Sequence, residues 1–63
     1  MERICVYPKD VSVITGKSER FGRSLIKQIK DKFDKQKHQY ITVEDFCNYT
    51  GISVQLVKER LRN

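Results

Sequence analysis

The feature that most constrains this chain is a repeat. The tetrapeptide TGKS at residues 15–18 returns as TGIS at residues 50–53, 35 positions later. In both copies, apolar residues at helical spacing precede the glycine and follow the serine. Glycine readily adopts the left-handed conformation that ends a helix, and serine is a preferred N-cap for the next one. Each copy is therefore predicted to be a helix, a tight turn and a second helix, the order of a helix–turn–helix unit.

The similarity at an offset of 35 extends beyond the two turns. It pairs Asp10 with Asp45, Val11 with Phe46, Ile14 with Tyr49, Phe21 with Leu56 and Ile26 with Leu61. We predict one mainly all-α domain over residues 1–63, a small four-helix domain with tandem helix–turn–helix units at about 9–33 and 42–62. Glycine stops and serine caps also occur at helix ends in many other proteins, so an ordinary helical bundle is the alternative.

The apolar spacing predicts where the four helices lie and which side chains they bury. The helices are expected at about 9–15, 19–33, 43–50 and 54–62. The residues expected to face inward are Val11, Val13 and Ile14 in the first helix, Phe21, Leu25, Ile26, Ile29 and Phe33 in the second, Val43, Phe46, Cys47 and Tyr49 in the third, and Leu56, Val57 and Leu61 in the fourth. Gly22 lacks a side chain and would let another helix or a DNA strand approach. The alternating segment RICVY at residues 3–7 predicts a short N-terminal strand or arm, and its pairing with YIT at residues 40–42 is a further hypothesis.

Most of the positive charge is concentrated on the second helix. The chain has 13 Lys and Arg against 8 Asp and Glu, a formal net charge of +5, and residues 17–32 alone carry +4. Arg20, Arg23, Lys27 and Lys30 recur every three or four residues and form a stripe beside the apolar face. Such a stripe suits a phosphate backbone, where neutralised phosphates release counterions. The alternative is a solvated helix face that only keeps a small protein soluble.

The second unit carries a resemblance to a known family. The segment TVEDFCNYTGISVQLVKERLRN, residues 42–63, resembles the helix–turn–helix of lac-repressor-type transcription factors. The matching residues are Thr42, Asp45, Tyr49, Gly51, Ile52, Ser53, Gln55 and Val57. The resemblance implies that Ser53 meets a phosphate, that Val54 and Gln55 face the major groove, and that Lys58 lies close to the DNA backbone. It does not extend to that family's ligand-binding domain and so implies no effector; the whole chain also looks like small bacterial proteins.

Two residues depart from that family's pattern: Cys47 stands in place of the usual alanine and Arg60 in place of an apolar residue. No catalytic constellation is evident, because the hydroxyl and thiol side chains lack a paired base. His38 has no second histidine with which to hold zinc, so we expect no enzyme activity, no metal and no cofactor. Cys5 and Cys47 form no CxxC pair and are expected to be reduced. The sequence shows no signal peptide or membrane-length apolar run, which predicts a cytoplasmic location.

These patterns together predict a small DNA-binding protein, either a transcriptional regulator or a recombination accessory factor, that contacts duplex DNA. The candidate nucleic-acid-binding residues are Lys17, Arg20, Arg23, Lys27, Lys30, Ser53, Val54, Gln55 and Lys58. A domain of this size buries only ~60% of its unfolded surface, and we therefore expect a homodimer. Which of the two units reads DNA stays open. The alternative function is a non-catalytic protein–protein interaction module whose positive charge is incidental, and no small-molecule ligand is implied.

Overall fold

Four helices form the described part of the chain, residues 4–61 of the computed structural model. They are α1 (Pro8–Thr15), α2 (Glu19–Lys32), α3 (Val43–Thr50) and α4 (Val54–Leu61). The prediction of a small all-α domain is confirmed. Helix α1 packs against α2 and α4, and α3 packs against α4 and α2. Residues 1–3 and 62–63, which include the start of the predicted arm and the end of the predicted fourth helix, lie outside the described residues.

The two repeated turns have the same conformation. Gly16 and Gly51 have φ values of 74° and 82°, in the left-handed region that glycine occupies without steric cost. Two residues later, the hydroxyl oxygens of Ser18 and Ser53 each accept a hydrogen bond from the backbone N–H three positions ahead, at 3.1 and 3.2 Å. The glycine stops and the serine caps predicted from the sequence are therefore both present in both copies.

The similarity continues in the hydrogen bonds on either side of the turns. The hydroxyls of Thr15 and Thr50 each donate to the carbonyl four residues back, at 2.7 and 2.8 Å. Each also accepts from the N–H two residues ahead, at 3.3 and 3.2 Å. At the start of α1 and α3, the carboxylates of Asp10 and Asp45 accept from the backbone N–H three residues earlier, at 2.9 and 3.1 Å. The repeat in sequence is thus also a repeat in local hydrogen bonding.

The predicted pairing of the N-terminal arm with the segment before α3 is present in reduced form. Cys5 and Thr42 form an isolated antiparallel bridge, and no longer strand occurs within residues 4–61. Beside the bridge, the N–H of Val6 donates to the carbonyl of Ile41 at 2.8 Å. The expected short strand is corrected to a bridge because Pro8 starts α1 on one side and Val43 starts α3 on the other, which leaves no room for a longer ladder.

This pairing relates the two repeated halves of the chain to each other. Val6 and Ile41 are 35 positions apart, the offset of the repeat, so the antiparallel contact joins equivalent residues of the two halves. The helix contacts are reciprocal in the same way, because α1 packs on α4 as α3 packs on α2. The first helix of each half therefore packs on the second helix of the other half.

The core lies where the two halves meet. Its buried apolar members are Val6, Val11, Ile29, Ile41, Val43, Phe46, Cys47, Val57 and Leu61. Three residues of α1, α3 and α4 that were expected to face inward do not: Leu56 is 55% exposed, Val13 is 50% exposed and Tyr49 is 37% exposed. Successive residues of a helix are rotated by about 100°. Leu56 therefore points away from its buried neighbour Val57, and Val13 points away from Val11. Each of these eight-residue helices buries only a narrow face.

The aromatic ends of the apolar stripe on α2 are also more open than expected. Phe21 and Phe33 are each 38% exposed, whereas Ile29 between them is fully buried. Phe21 is rotated by about 100° from its buried neighbour Gly22, and Phe33 lies beyond Lys32, the last residue of α2. The helix ends at Lys32 rather than at Phe33, which forms its C-cap.

At Gly22 the backbones of α1 and α2 lie close together. It is buried in α2, and a Cβ atom at this position would lie 3.1 Å from the Cα and carbonyl carbon of Pro8, and closer still to its carbonyl oxygen. The sequence allowed either another helix or a DNA strand beside Gly22. The structure places a helix there, because the first turn of α1 lies directly against this residue.

Candidate nucleic-acid interface

The basic stripe of α2 is open to solvent. Ser18 caps the helix and sets its start, which places Arg20, Arg23 and Lys27 on one edge with exposed side chains. Among residues 4–61, no carboxylate lies within 4 Å of these three cations. Lys30, at the end of the stripe, is half-buried, and its Nζ donates to the carbonyl of Lys37 at 2.9 Å. The stripe therefore presents charge that the described acidic side chains do not neutralise.

Lys17 does not belong to this stripe. Its ammonium lies 5.5 Å from the centre of the Phe21 ring, a cation–π contact. Phe21 is on the opposite edge of α2 from Arg23, since two residues of a helix are rotated by about 200°. Lys17 is exposed and available to an anion, but it lies beside Phe21 and away from the basic stripe.

The stripe borders an open groove of about 560 Å³ that the sequence reasoning did not foresee. Its apolar floor is formed by Val6, Pro8, Ile26 and Ile41. The ionic and aromatic side chains around it are Arg23, Lys27, Lys30, Lys35, Lys37, Asp31, Tyr7 and Tyr40. The structure thus brings three predicted residues of α2 together with four missed ones, the two tyrosines and the two lysines after α2. The predicted pairing of ICVY with YIT was the signal that could have found the tyrosines.

The two tyrosines of the groove form an edge-to-face pair. The ring centroids of Tyr7 and Tyr40 are 6.1 Å apart, with an interplanar angle of 80°. The residues are nevertheless 47% and 62% exposed, so part of each ring faces solvent. Both rings lie next to the antiparallel pair that joins the two halves, because Tyr7 follows Val6 and Tyr40 precedes Ile41.

An ion pair holds the lysine-rich loop against α3. The Nζ of Lys35 lies 2.8 Å from the Asp45 carboxylate and donates to the carbonyl of Tyr40 at 3.1 Å. Burial by itself would raise the pKa of Asp45, but hydrogen bonds from Lys35 and Thr42 outweigh it and hold that pKa below its ordinary value. Since Asp45 balances the charge of Lys35, this lysine contributes less to the field of the groove than its neighbours do.

The candidates on α4 form a separate group. The Ser53 oxygen is occupied as the helix cap, while Gln55 and Lys58 are exposed and Val54 is 40% exposed. Helix α4 packs on α1 and α3, and within residues 4–61 it makes no contact with α2. The nine candidate residues are therefore not brought together into one surface.

Other reactive side chains are dispersed. Cys5 and Cys47 are both free thiols, and burial raises the pKa of Cys47. Across residues 4–61, no three His, Cys, Asp or Glu side chains come close enough to hold a metal ion. None of the helices described for this chain has the length and apolar character needed to cross a membrane.

Comparison with protein families, with curated proteins and with solved structures finds no match to this chain. The resemblance of residues 42–63 to the lac-repressor-type motif therefore stays a prediction.

Proposed function

We propose that this chain is a small cytoplasmic DNA-binding protein that contacts duplex DNA through α2 and acts as a transcriptional regulator or recombination accessory factor. The observation that carries the proposal is the row of exposed cations Arg20, Arg23 and Lys27, which no described carboxylate neutralises. A helix with such an edge can lie along a phosphate backbone and gain affinity from the counterions that it displaces.

Helix α4 is the second element of the proposal. It follows the second glycine turn as α2 follows the first, and exposed Gln55 and half-open Val54 lie in its first turn. In helix–turn–helix proteins the N-terminal residues of the second helix contact base edges. Gln55 is suited to adenine, to which glutamine can form two hydrogen bonds. In this arrangement α2 supplies most of the affinity and α4 supplies sequence preference.

The proposal is tested by fluorescence anisotropy with a labelled duplex of roughly 20 base pairs at salt concentrations from about 50 to about 200 mM. The logarithm of the binding constant should fall with the logarithm of salt concentration, with a slope of about −0.9 for each phosphate contacted. The double variant Arg20→Glu/Arg23→Glu should lose duplex binding because it reverses the charge of the stripe.

The matched control is Lys9→Glu/Lys32→Glu, which changes the net charge equally at exposed positions outside the stripe. This variant should keep most of the affinity if α2 makes the contact. Equal losses in the two double variants would show a non-specific charge effect, and wild-type affinity in the Arg20→Glu/Arg23→Glu protein would refute the role of α2.

We propose that the protein forms a homodimer. The surface best suited to the contact is an aromatic edge on the side of α2 away from the basic stripe. The rings of Phe33 and Tyr49 meet edge to face with centroids 6.4 Å apart, and the residues are 38% and 37% exposed. The same edge favours the second candidate function, a protein–protein interaction module, because exposed aromatic side chains are enriched in protein interfaces.

Sedimentation equilibrium separates these possibilities. A dimeric mass that Phe33→Ala/Tyr49→Ala reduces to that of the monomer would support the homodimer. A monomeric wild-type protein that binds no duplex at low salt would instead favour the interaction module.

A further inference from the structure

We propose that the groove beside α2 binds an unpaired nucleotide of single-stranded nucleic acid, with the base against Tyr7 and Tyr40 and the neighbouring phosphates on the surrounding cations. This proposal rests on the proposed function, since both assign nucleic-acid phosphates to the basic edge of α2. It adds a site that duplex binding along the helix does not use.

The floor and the volume of the groove fit a base. Its apolar lining, which includes Ile26 and Ile41, can cover the face of an aromatic ring. A volume of about 560 Å³ lies within the range of about 300–1,000 Å³ that is usual for sites that hold small organic molecules. Bases in a duplex are stacked on their neighbours, so only an unpaired base can place a face in this groove.

The tyrosine pair supplies a platform. Aromatic side chains on which bases stack, combined with a positively charged groove, are the usual means of binding single strands. Tyr40 is 62% exposed and is the more open of the two rings. Tyr7 meets it edge to face, which fixes the orientation of the pair without covering both rings.

The charges around the tyrosines indicate an anionic ligand. Arg23 and Lys27 lie on one wall, separated by one helical turn, or about 6 Å of helix rise. Lys37 contributes a third exposed cation, and Asp31 is the one carboxylate in the described lining. An acidic peptide would satisfy these cations but offers no flat ring for the tyrosines, which favours a nucleotide over a peptide.

The test compares three labelled probes at low salt by fluorescence anisotropy: single-stranded dT12, an abasic strand of the same length and charge, and a blunt duplex of 12 base pairs. The protein contains no tryptophan, so quenching of tyrosine emission by dT12 reports stacking directly. The variants are Tyr40→Ser, the conservative Tyr40→Phe, and Val13→Ser as a control at an exposed position outside the groove. Circular dichroism verifies that each variant is folded.

We expect dT12 to bind more tightly than the abasic strand and to quench tyrosine emission. Tyr40→Ser should weaken dT12 binding by roughly 5- to 150-fold, the range that corresponds to the loss of one base–aromatic stack. Tyr40→Phe should restore most of the affinity, because stacking needs the ring and not the hydroxyl. Val13→Ser should bind dT12 as the wild type does.

Equal binding of dT12 and the abasic strand, or unchanged dT12 affinity in the Tyr40→Ser protein, would overturn the proposal. Binding of a twelve-residue glutamate peptide as tight as that of dT12, and insensitive to Tyr40, would overturn it too, by showing a surface that attracts any polyanion. Duplex binding without dT12 binding would refute the groove site and leave the duplex proposal intact. Binding of dT12 that depends on Tyr40, without binding of the duplex, would support the groove site and refute the duplex proposal. If neither probe binds, both proposals are refuted.

Discussion

At the scale of single residues, Gly22 is the glycine whose surroundings leave no room for a side chain. A side chain there would press on the backbone of Pro8. We expect Gly22→Ala to destabilise the fold by about 1–3 kcal/mol, the usual range for overpacking, although alanine in a helix gains about 1 kcal/mol over glycine. Urea unfolding measures the change. A variant as stable as the wild type would contradict the close contact of α1 with α2.

Gly16→Ala is the comparison for this prediction. Nothing lies within 4 Å of a Cβ atom at Gly16, but the residue has a φ of 74°. Gly16→Ala should therefore lower the free energy of unfolding by about 1–2 kcal/mol through backbone strain alone. Gly22→Ala acts through contact with the backbone of Pro8. Shortening neighbouring side chains should therefore not restore the lost stability.

Asp45 should make the stability of the fold depend on pH in the acidic range. Its folded pKa is below the ordinary value of 3.8, so the carboxylate stabilises the folded state above that value. This contribution is lost as the pH falls from about 3.8 through the lower folded pKa. Asp45→Asn should therefore be less stable than the wild type near neutral pH, and the difference should shrink towards pH 3 in urea titrations.

The neighbouring Glu44→Gln provides the control, because Glu44 is exposed in the same helical turn. Near neutral pH, Glu44→Gln should lower the stability less than Asp45→Asn does. A constant difference between the wild type and Asp45→Asn across this pH range would show that the pairing with Lys35 and Thr42 does not stabilise the carboxylate.

Single-residue features were predictable where their cause is local. The caps at Ser18 and Thr42 and the stop at Gly51 follow from which residues satisfy backbone groups at helix ends, and the structure confirms them. Solvent exposure was less predictable. Leu56 is a large apolar residue of the kind usually found in a core, but its burial depends on which side of α4 another helix covers.

At the scale of elements, the end of α2 carries a residue in an uncommon conformation. Asp34 has a φ of 58°, and the next N–H, that of Lys35, donates to the carbonyl of Lys30 at 2.8 Å. A left-handed residue followed by this backward hydrogen bond is a common helix ending and favours glycine. We expect Asp34→Gly to stabilise the fold by up to about 1 kcal/mol, measured by thermal or urea unfolding.

Asp31→Gly is the matched change inside α2, where glycine lowers stability by roughly 1 kcal/mol. Opposite signs for the two substitutions are the expected result. A loss of stability in both would mean that the side chain of Asp34 contributes more than its backbone conformation costs.

The elements themselves were largely predictable, and the groove between them was not. Helix positions follow from apolar periodicity and caps within about 15 residues of sequence. The groove combines Tyr7, Arg23, Lys37 and Tyr40, which come from the arm, from α2 and from the loop before α3. Their proximity depends on how the two halves pack together, and no local pattern contains that information.

At the scale of the whole molecule, the contact of equivalent residues Val6 and Ile41 has a consequence for folding. The arm that precedes α1 has its hydrogen-bond partner in the second half, and α1 and α3 each pack on a helix of the opposite half. Within each half the two helices also pack on each other, but part of the apolar face of each half is covered only by the other half. We expect peptides 1–36 and 37–63 to be largely unfolded separately and to gain helix when mixed, as circular dichroism would show.

A peptide that is fully helical alone would contradict this expectation, and a mixture of one peptide with a scrambled version of the other provides the control. If the pair reassembles, the intact chain is equivalent to a heterodimer of its own halves, with the loop at residues 33–41 serving as a tether. Partner exchange between two such chains would then connect them without any new interface, because each first half would recognise the second half of its neighbour.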